Sequence, residues 1–177
     1  MIRTPRRPTV TTASASCEGK PALPPPDESV ELANGNKRTA SLAVELLLQH
    51  GYVEPTAVQR TNLLVCFAES DRVLYGRAFD VVKCPPDVDL NNRASIKPHI
   101  GQITVAEIKS TNRRTIGPDF DGYFFDLTNA ELLVAQSLGA QFLFVFVNIV
   151  TLAIKEMTLQ DIFRKARKTY PKMAVLF

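Results

Sequence analysis

The chain has no tryptophan, only three cysteines and two histidines in 177 residues, and no apolar run of membrane-spanning length. Each shortage narrows the function. Cys17, Cys66 and Cys84 lie far apart, are odd in number and form no C-x-x-C pair. They argue against a disulfide framework and for a reducing compartment, so a cytoplasmic setting is expected. His50 and His99 are too few and too scattered for a zinc site. The strongest apolar run, Phe142 to Val150, is strand-sized, so no membrane partner is expected. Excess charge is also scarce: the formal net charge is +3, which alone does not call for nucleic acid. No internal repeat is visible.

What is present divides the chain in two. Residues 1–36 hold six of the twelve prolines, with Thr, Ser and Gly filling much of the rest. No apolar period runs through them, so they cannot bury enough surface to offset their ordering entropy, and a disordered tail is expected. Arg3, Arg6 and Arg7 among many hydroxyls also fit a transit peptide, the organelle-targeted alternative. Residues 37–177 have the length and apolar content of one domain.

In that domain, Thr39 to Gln49 reads as a helix stopped by Gly51. Thr61 to Ala68 reads as a strand, and Val73 to Val82 as a second, kinked near Gly76. Residues 84–101 read as an irregular loop, with Pro85, Pro86, Pro98 and Asn91-Asn92 as breakers. Ile103 to Ser110 is the third strand, and Thr111 to Asp126 a second irregular stretch. Thr128 and Glu131 form a capping box that opens a helix to Leu138, with Gly139 as its stop. Phe142 to Val147 is a strand covered on both faces. Ala153 to Met157 is an edge strand, and Thr158 caps a last helix.

Charged residues inside apolar strands mark the chemistry. Glu107 and Lys109, two apart in VAEIKST, leave one face of the third strand together. Asp80 stands between Phe79 and Val81-Val82. Desolvated charge is costly unless paired or ion-bound. If the two strands are neighbours, Asp80 and Glu107 meet, and a hard divalent cation relieves their repulsion. Mg²⁺ suits such a site, with Mn²⁺ as a substitute and the Ile108 backbone carbonyl as a further ligand. Lys109 is placed to orient or deprotonate a water and to stabilise charge on a phosphate. Glu45, on the polar stripe of the first helix, is either a solvated residue or a third acidic ligand. Glu131 reads as a cap, and Gln136 faces either site or solvent. Asn112, Arg113 and Arg114, with Lys165 and Lys168 on the last helix, are the candidates for gripping nucleic-acid phosphates. The aromatics Phe120, Tyr123, Phe124 and Phe125 read as a lid packed on the body.

Asp80 in GRAFDVV and Glu107/Lys109 in VAEIKST resemble the PD-(D/E)XK nuclease superfamily. More narrowly, AEIKST followed by YFFDLTNAELLVAQ and FLFVFVN looks like the nuclease-like domains of restriction-system proteins and the NO VEIN C-terminal domain. The likeness spans residues 40–170. It implies a three-layer α/β restriction-endonuclease-like core of order αβββαβ with a mixed central sheet. It implies Mg²⁺-dependent hydrolysis of a DNA phosphodiester, with Asp80 and Glu107 as metal ligands and Lys109 as the catalytic lysine. Two departures stand out: the gap from Asp80 to Glu107 is long, and Phe79 stands where the name pattern has proline. The expectation is a DNA endonuclease of restriction, defence or repair, acting as a homodimer or with a partner protein that supplies specificity. The alternative is a catalytically silent module of the same fold that binds nucleic acid or protein. A third reading is a structural domain in which Lys109 merely neutralises Glu107.

Overall fold

A computed structural model describes the backbone of residues 28–170 and the side chains of residues 38–170. The expected tail therefore lies outside the described residues as far as residue 27. Five α-helices and four strands follow: α1 (Glu28–Leu48), α2 (Ala57–Ala68), β1 (Val81–Lys83), α3 (Arg93–Ile96), β2 (Thr104–Thr111), α4 (Asn129–Leu138), β3 (Phe142–Asn148), β4 (Ala153–Met157) and α5 (Leu159–Lys165). The sheet is open and mixed, in the order β1-β2-β3-β4. β1 and β2 are antiparallel, β2 and β3 parallel, β3 and β4 antiparallel. The parallel pair needs a crossover, and α4 supplies it.

Helices cover both faces. On one face Ala43 and Leu47 of α1, four residues apart, pack on Val81, Ala106, Val145 and Val147. On the other, α2, α4 and α5 close over Val82, Val105, Phe142, Phe144 and Phe146. β3 is thus buried on both sides, as its unbroken apolar run requires.

Several elements differ from expectation. Thr61 to Ala68 is not a strand; it is most of α2. Thr56 and Gln59 form a capping box at its start, and Leu63, Cys66 and Phe67 are its buried stripe. The strand expected over Val73 to Val82 shrinks to β1. Arg60 of α2 donates to the carbonyls of Gly76 (2.8 Å) and Phe79 (2.5 Å) and its guanidinium covers the Phe79 ring. Those carbonyls therefore serve a side chain instead of a neighbouring strand. The remaining pairing partner of β1 is Val53, which exchanges two backbone hydrogen bonds with Val82. The loop 84–101 contains α3 and a 3₁₀ turn, Lys97–Gln102. Asn92 is the N-cap and Pro98 sits in the first turn, positions these residues favour. α1 begins at Glu28, ahead of the expected Thr39. Once a helix is nucleated, each further residue adds a hydrogen bond at little cost, so it extends beyond the stretch whose apolar pattern announces it.

The other elements stand where expected. Gly51, at φ +80°, follows α1, and Gly139, at φ +57°, ends α4. Thr128 with Glu131 and Thr158 with Asp161 are both capping boxes.

Candidate active site

The site is built on β2. Glu107 pairs with Phe144 and Lys109 with Phe146 in the parallel ladder, so both side chains rise on the face covered by α4. There the Lys109 ammonium lies 3.1 Å from Glu107 Oε1 and 2.9 Å from Glu131 Oε2. The side chains of Lys109, Glu107 and Glu131 are only 12%, 15% and 5% exposed. Glu131 keeps its role as cap, since the same Oε2 accepts from the Thr128 N–H at 3.3 Å. The sequence marked that cap but not the ion pair, which exists only because the crossover lays the start of α4 over β2.

Asp80 immediately precedes β1. Its N–H donates to the Ala106 carbonyl (2.9 Å), and its Oδ2 accepts the Ile108 N–H (2.9 Å). The carboxylate thus takes the place on β2 that the next carbonyl of a longer β1 would fill. The N–H and C=O of a strand residue point to the same edge, so the Ile108 carbonyl lies on the edge that β1 vacates. Arg60 also reaches the Asp80 carbonyl at 3.3 Å, so three successive contacts fix the approach to Asp80.

The electrostatics follow from this crowding. Burial pushes the Glu107 carboxyl up from 4.5 to about 8; the charge of Asp80 adds to this, Lys109 opposes it and Glu131 raises it slightly. Glu107 and Glu131 face the Lys109 ammonium and Asp80 acts on Glu107, so three carboxyl groups share one ammonium: one negative charge is in excess while Glu107 keeps its proton, and two once it ionises. Asp80 Oδ1 and Glu107 Oε2 have no hydrogen-bond partner among the described residues, yet neither is sealed from solvent. The free donors are hard oxygens, the kind Mg²⁺ or Mn²⁺ takes. Two carboxylates with water suffice for Mg²⁺, which seldom has an all-protein cage. Among the described residues, Asp80, Glu107 and the Ile108 carbonyl are the oxygens chemically suited to such an ion. No group of three or more His, Cys, Asp or Glu among the described residues forms a ready cage.

The other candidates lie around this centre. Glu45 is exposed on α1, which packs on the opposite face of the sheet. The structure does not bring it to the pair, because the buried stripe Ala43 and Leu47 turns it outward. Gln136 is exposed on α4. Asn112, Arg113 and Arg114 are exposed on the loop that leaves β2. Buried Asn148 holds the base of that loop, donating to the Arg113 carbonyl (3.0 Å) and the Ile116 carbonyl (2.8 Å). Lys168 is exposed, whereas Lys165 is engaged by Asp121 at 2.6 Å.

The aromatics pack on the body, with one exception. Phe120, Tyr123 and Phe125 gather on Phe146, and the Tyr123 hydroxyl donates to the Ser110 carbonyl at 2.7 Å. Burial raises the Tyr123 phenol, which keeps it protonated and donating. Phe124 remains 68% exposed, against Tyr170. Between this loop and α5 runs an open groove of about 770 Å³. Phe146 forms part of its floor, and Lys165, Arg167 and Lys168 lie along its wall. Phe146 pairs with Lys109 in the sheet, but Asp80, Glu107, Lys109 and Glu131 do not line the groove.

No helix among the described residues is long and apolar enough to cross a membrane. Comparison of the chain with family models, with curated proteins and with solved structures gives no match.

Proposed function

We propose that this chain is a Mg²⁺-dependent DNA endonuclease with a restriction-endonuclease-like core. One observation carries the reading: Asp80, just ahead of β1, comes together with the Glu107/Lys109 pair of β2 at the edge of that strand, where carboxyl groups outnumber the one ammonium. The element order from β1 onward, β1-β2-α4-β3, supports it, although Thr61 to Ala68, expected as the first strand of the core, is part of helix α2. Asp80, Glu107 and the Ile108 carbonyl would hold the ion. When bound, it lowers the pKa of a coordinated water and offsets charge on a phosphate. Lys109 sits beside Glu107, where an ammonium orients the attacking water and stabilises charge growing on the phosphoryl oxygens. Arg113 and Arg114 contact the backbone of the substrate, and the groove past Phe146 guides it with Lys168 and, once freed from Asp121, Lys165. One such site per chain makes a homodimer the economical way to cut both strands, unless a partner protein supplies the second site and the specificity.

The test is cleavage of plasmid and linear DNA in Mg²⁺, Mn²⁺ or EDTA, with Asp80→Ala and Lys109→Ala beside the wild type. Metal-dependent cutting that both substitutions abolish supports the reading. Cutting that survives both belongs to a contaminant and removes these residues from catalysis.

A second reading rests on Lys109 being already shared by two carboxylates. In it, the cluster is an internally compensated buried network, and the chain binds nucleic acid or protein without cutting. Retention of DNA in EDTA with no cleavage in any metal would favour it.

A further inference from the structure

We propose that Glu131 is a positioning residue for the divalent-cation site: by taking a share of the Lys109 ammonium, it keeps Lys109 from closing fully on Glu107 and leaves Glu107 free for the ion. This rests on the metal-dependent reading above. The geometry supplies the argument. Lys109 lies closer to Glu131 than to Glu107, 2.9 Å against 3.1 Å, and Glu131 is the more deeply buried partner. An ammonium has three donors, so it serves both carboxylates at once. Remove the charge of Glu131, and the same ammonium faces one anion instead of two. It then draws tightly onto Glu107 and competes there with any cation.

Glu131 is well placed for this because its position is fixed independently. It is the third helical residue of α4, tied to Thr128 by reciprocal cap bonds. Its carboxylate therefore stays in place when Lys109 moves. The capping pattern and the ion pair draw on the same oxygen, Oε2, but they make separable demands. The cap needs an acceptor, which glutamine also provides. The ion pair needs a charge, which glutamine lacks. Glu131→Gln is thus designed to spare the helix and release Lys109, whereas Thr128→Ala weakens the cap and leaves the charge.

The experiment measures Mn²⁺ binding by titration calorimetry on the full chain, with no DNA present, at one fixed pH. Wild type, Glu131→Gln, Thr128→Ala, Lys109→Gln and the Lys109→Gln/Glu131→Gln double variant are compared, each checked for folding by its melting curve. Outer partners of metal ligands are typically worth ~10–100-fold in affinity, so Glu131→Gln is expected to weaken binding at least about tenfold. Thr128→Ala melts earlier but binds Mn²⁺ like the wild type. In the Lys109→Gln background the effect of Glu131→Gln disappears, because the competitor is gone. A mere loss of negative charge would weaken binding equally in both backgrounds, and that result overturns the proposal. So does an unchanged affinity in Glu131→Gln. If Glu131→Gln fails to fold, Lys109→Gln decides: it must bind Mn²⁺ more tightly than the wild type, and equal or weaker binding overturns the proposal. A wild type that binds no Mn²⁺ strikes the metal-dependent reading itself, a result distinct from a wild type that binds while Glu131→Gln matches it.

Discussion

Raising the pH of the metal-free protein should weaken the fold through Glu107. Burial, reinforced by Asp80, lifts this carboxyl from 4.5 to about 8. A group whose folded pKa lies above its unfolded value holds its proton more tightly when folded. Its contribution to stability is therefore complete below 4.5 and lost as pH climbs through about 8. Each pKa unit corresponds to about 1.4 kcal/mol, so the interval sets a ceiling of roughly 5 kcal/mol. Glu107 keeps some contact with water, and Lys109 can move toward it as it ionises. Both reduce the cost, and ~2–3 kcal/mol is the working figure. For a domain of this size that is about 6–10 °C in melting temperature. The assay is thermal unfolding in EDTA from pH 5 to 9, comparing wild type with Glu107→Gln, whose neutral amide does not titrate. The gap between the two curves isolates Glu107, and wild type should lose ground as pH rises. Adding Mg²⁺ at pH 8.5 should recover the loss, since the cation takes the place of the proton. Curves that run parallel across the range would falsify the argument.

Three further outcomes follow from the geometry. Replacing both Arg113 and Arg114 with alanine should shallow the salt dependence of DNA binding by about 0.9 for each phosphate no longer neutralised, and an unchanged slope takes the pair out of the interface. Arg60→Ala strips three carbonyls of their donor around Asp80; it should cost about 2–3 kcal/mol in chemical denaturation and weaken Mn²⁺ binding, and normal Mn²⁺ affinity would mean the Asp80 turn holds without it. Phe146→Ala empties the floor of the groove and the seat of three aromatic rings; about 3–5 kcal/mol of lost stability is expected, and a loss under 1 kcal/mol would deny it that central place.

Local chemistry carried much of this architecture. The cap at Thr128, the stop at Gly139 and the apolar run of β3 were legible because each is decided by a few adjacent residues. Glu107 and Lys109 were legible as a pair because the strand period alone sets their shared face. The Thr61 to Ala68 segment misled because Leu63-Leu64-Val65-Cys66-Phe67 is continuous, and such a run suits a strand or a buried helix equally. The deciding signal was Thr56 and Gln59, a capping box just upstream. The length of β1 was not legible at all: it depends on Arg60 reaching from another element to take the carbonyls a strand would use. Glu131 was found as a cap and missed as a partner of Lys109 for the same reason. Its second contact depends on where the crossover lays α4, and no nearby residue records that.

Asn148 has a consequence for how the molecule would meet a partner. One buried amide, at the end of β3, holds two carbonyls of the loop after β2 while its oxygen accepts the Val150 N–H. The main chain that displays Arg113 and Arg114 is thus set before any encounter. Engagement would then order chiefly the two side chains, at about 0.5–1.5 kcal/mol each. The guanidinium tips stay adaptable on a fixed mount, so what a bound strand would order in this loop is the two side chains.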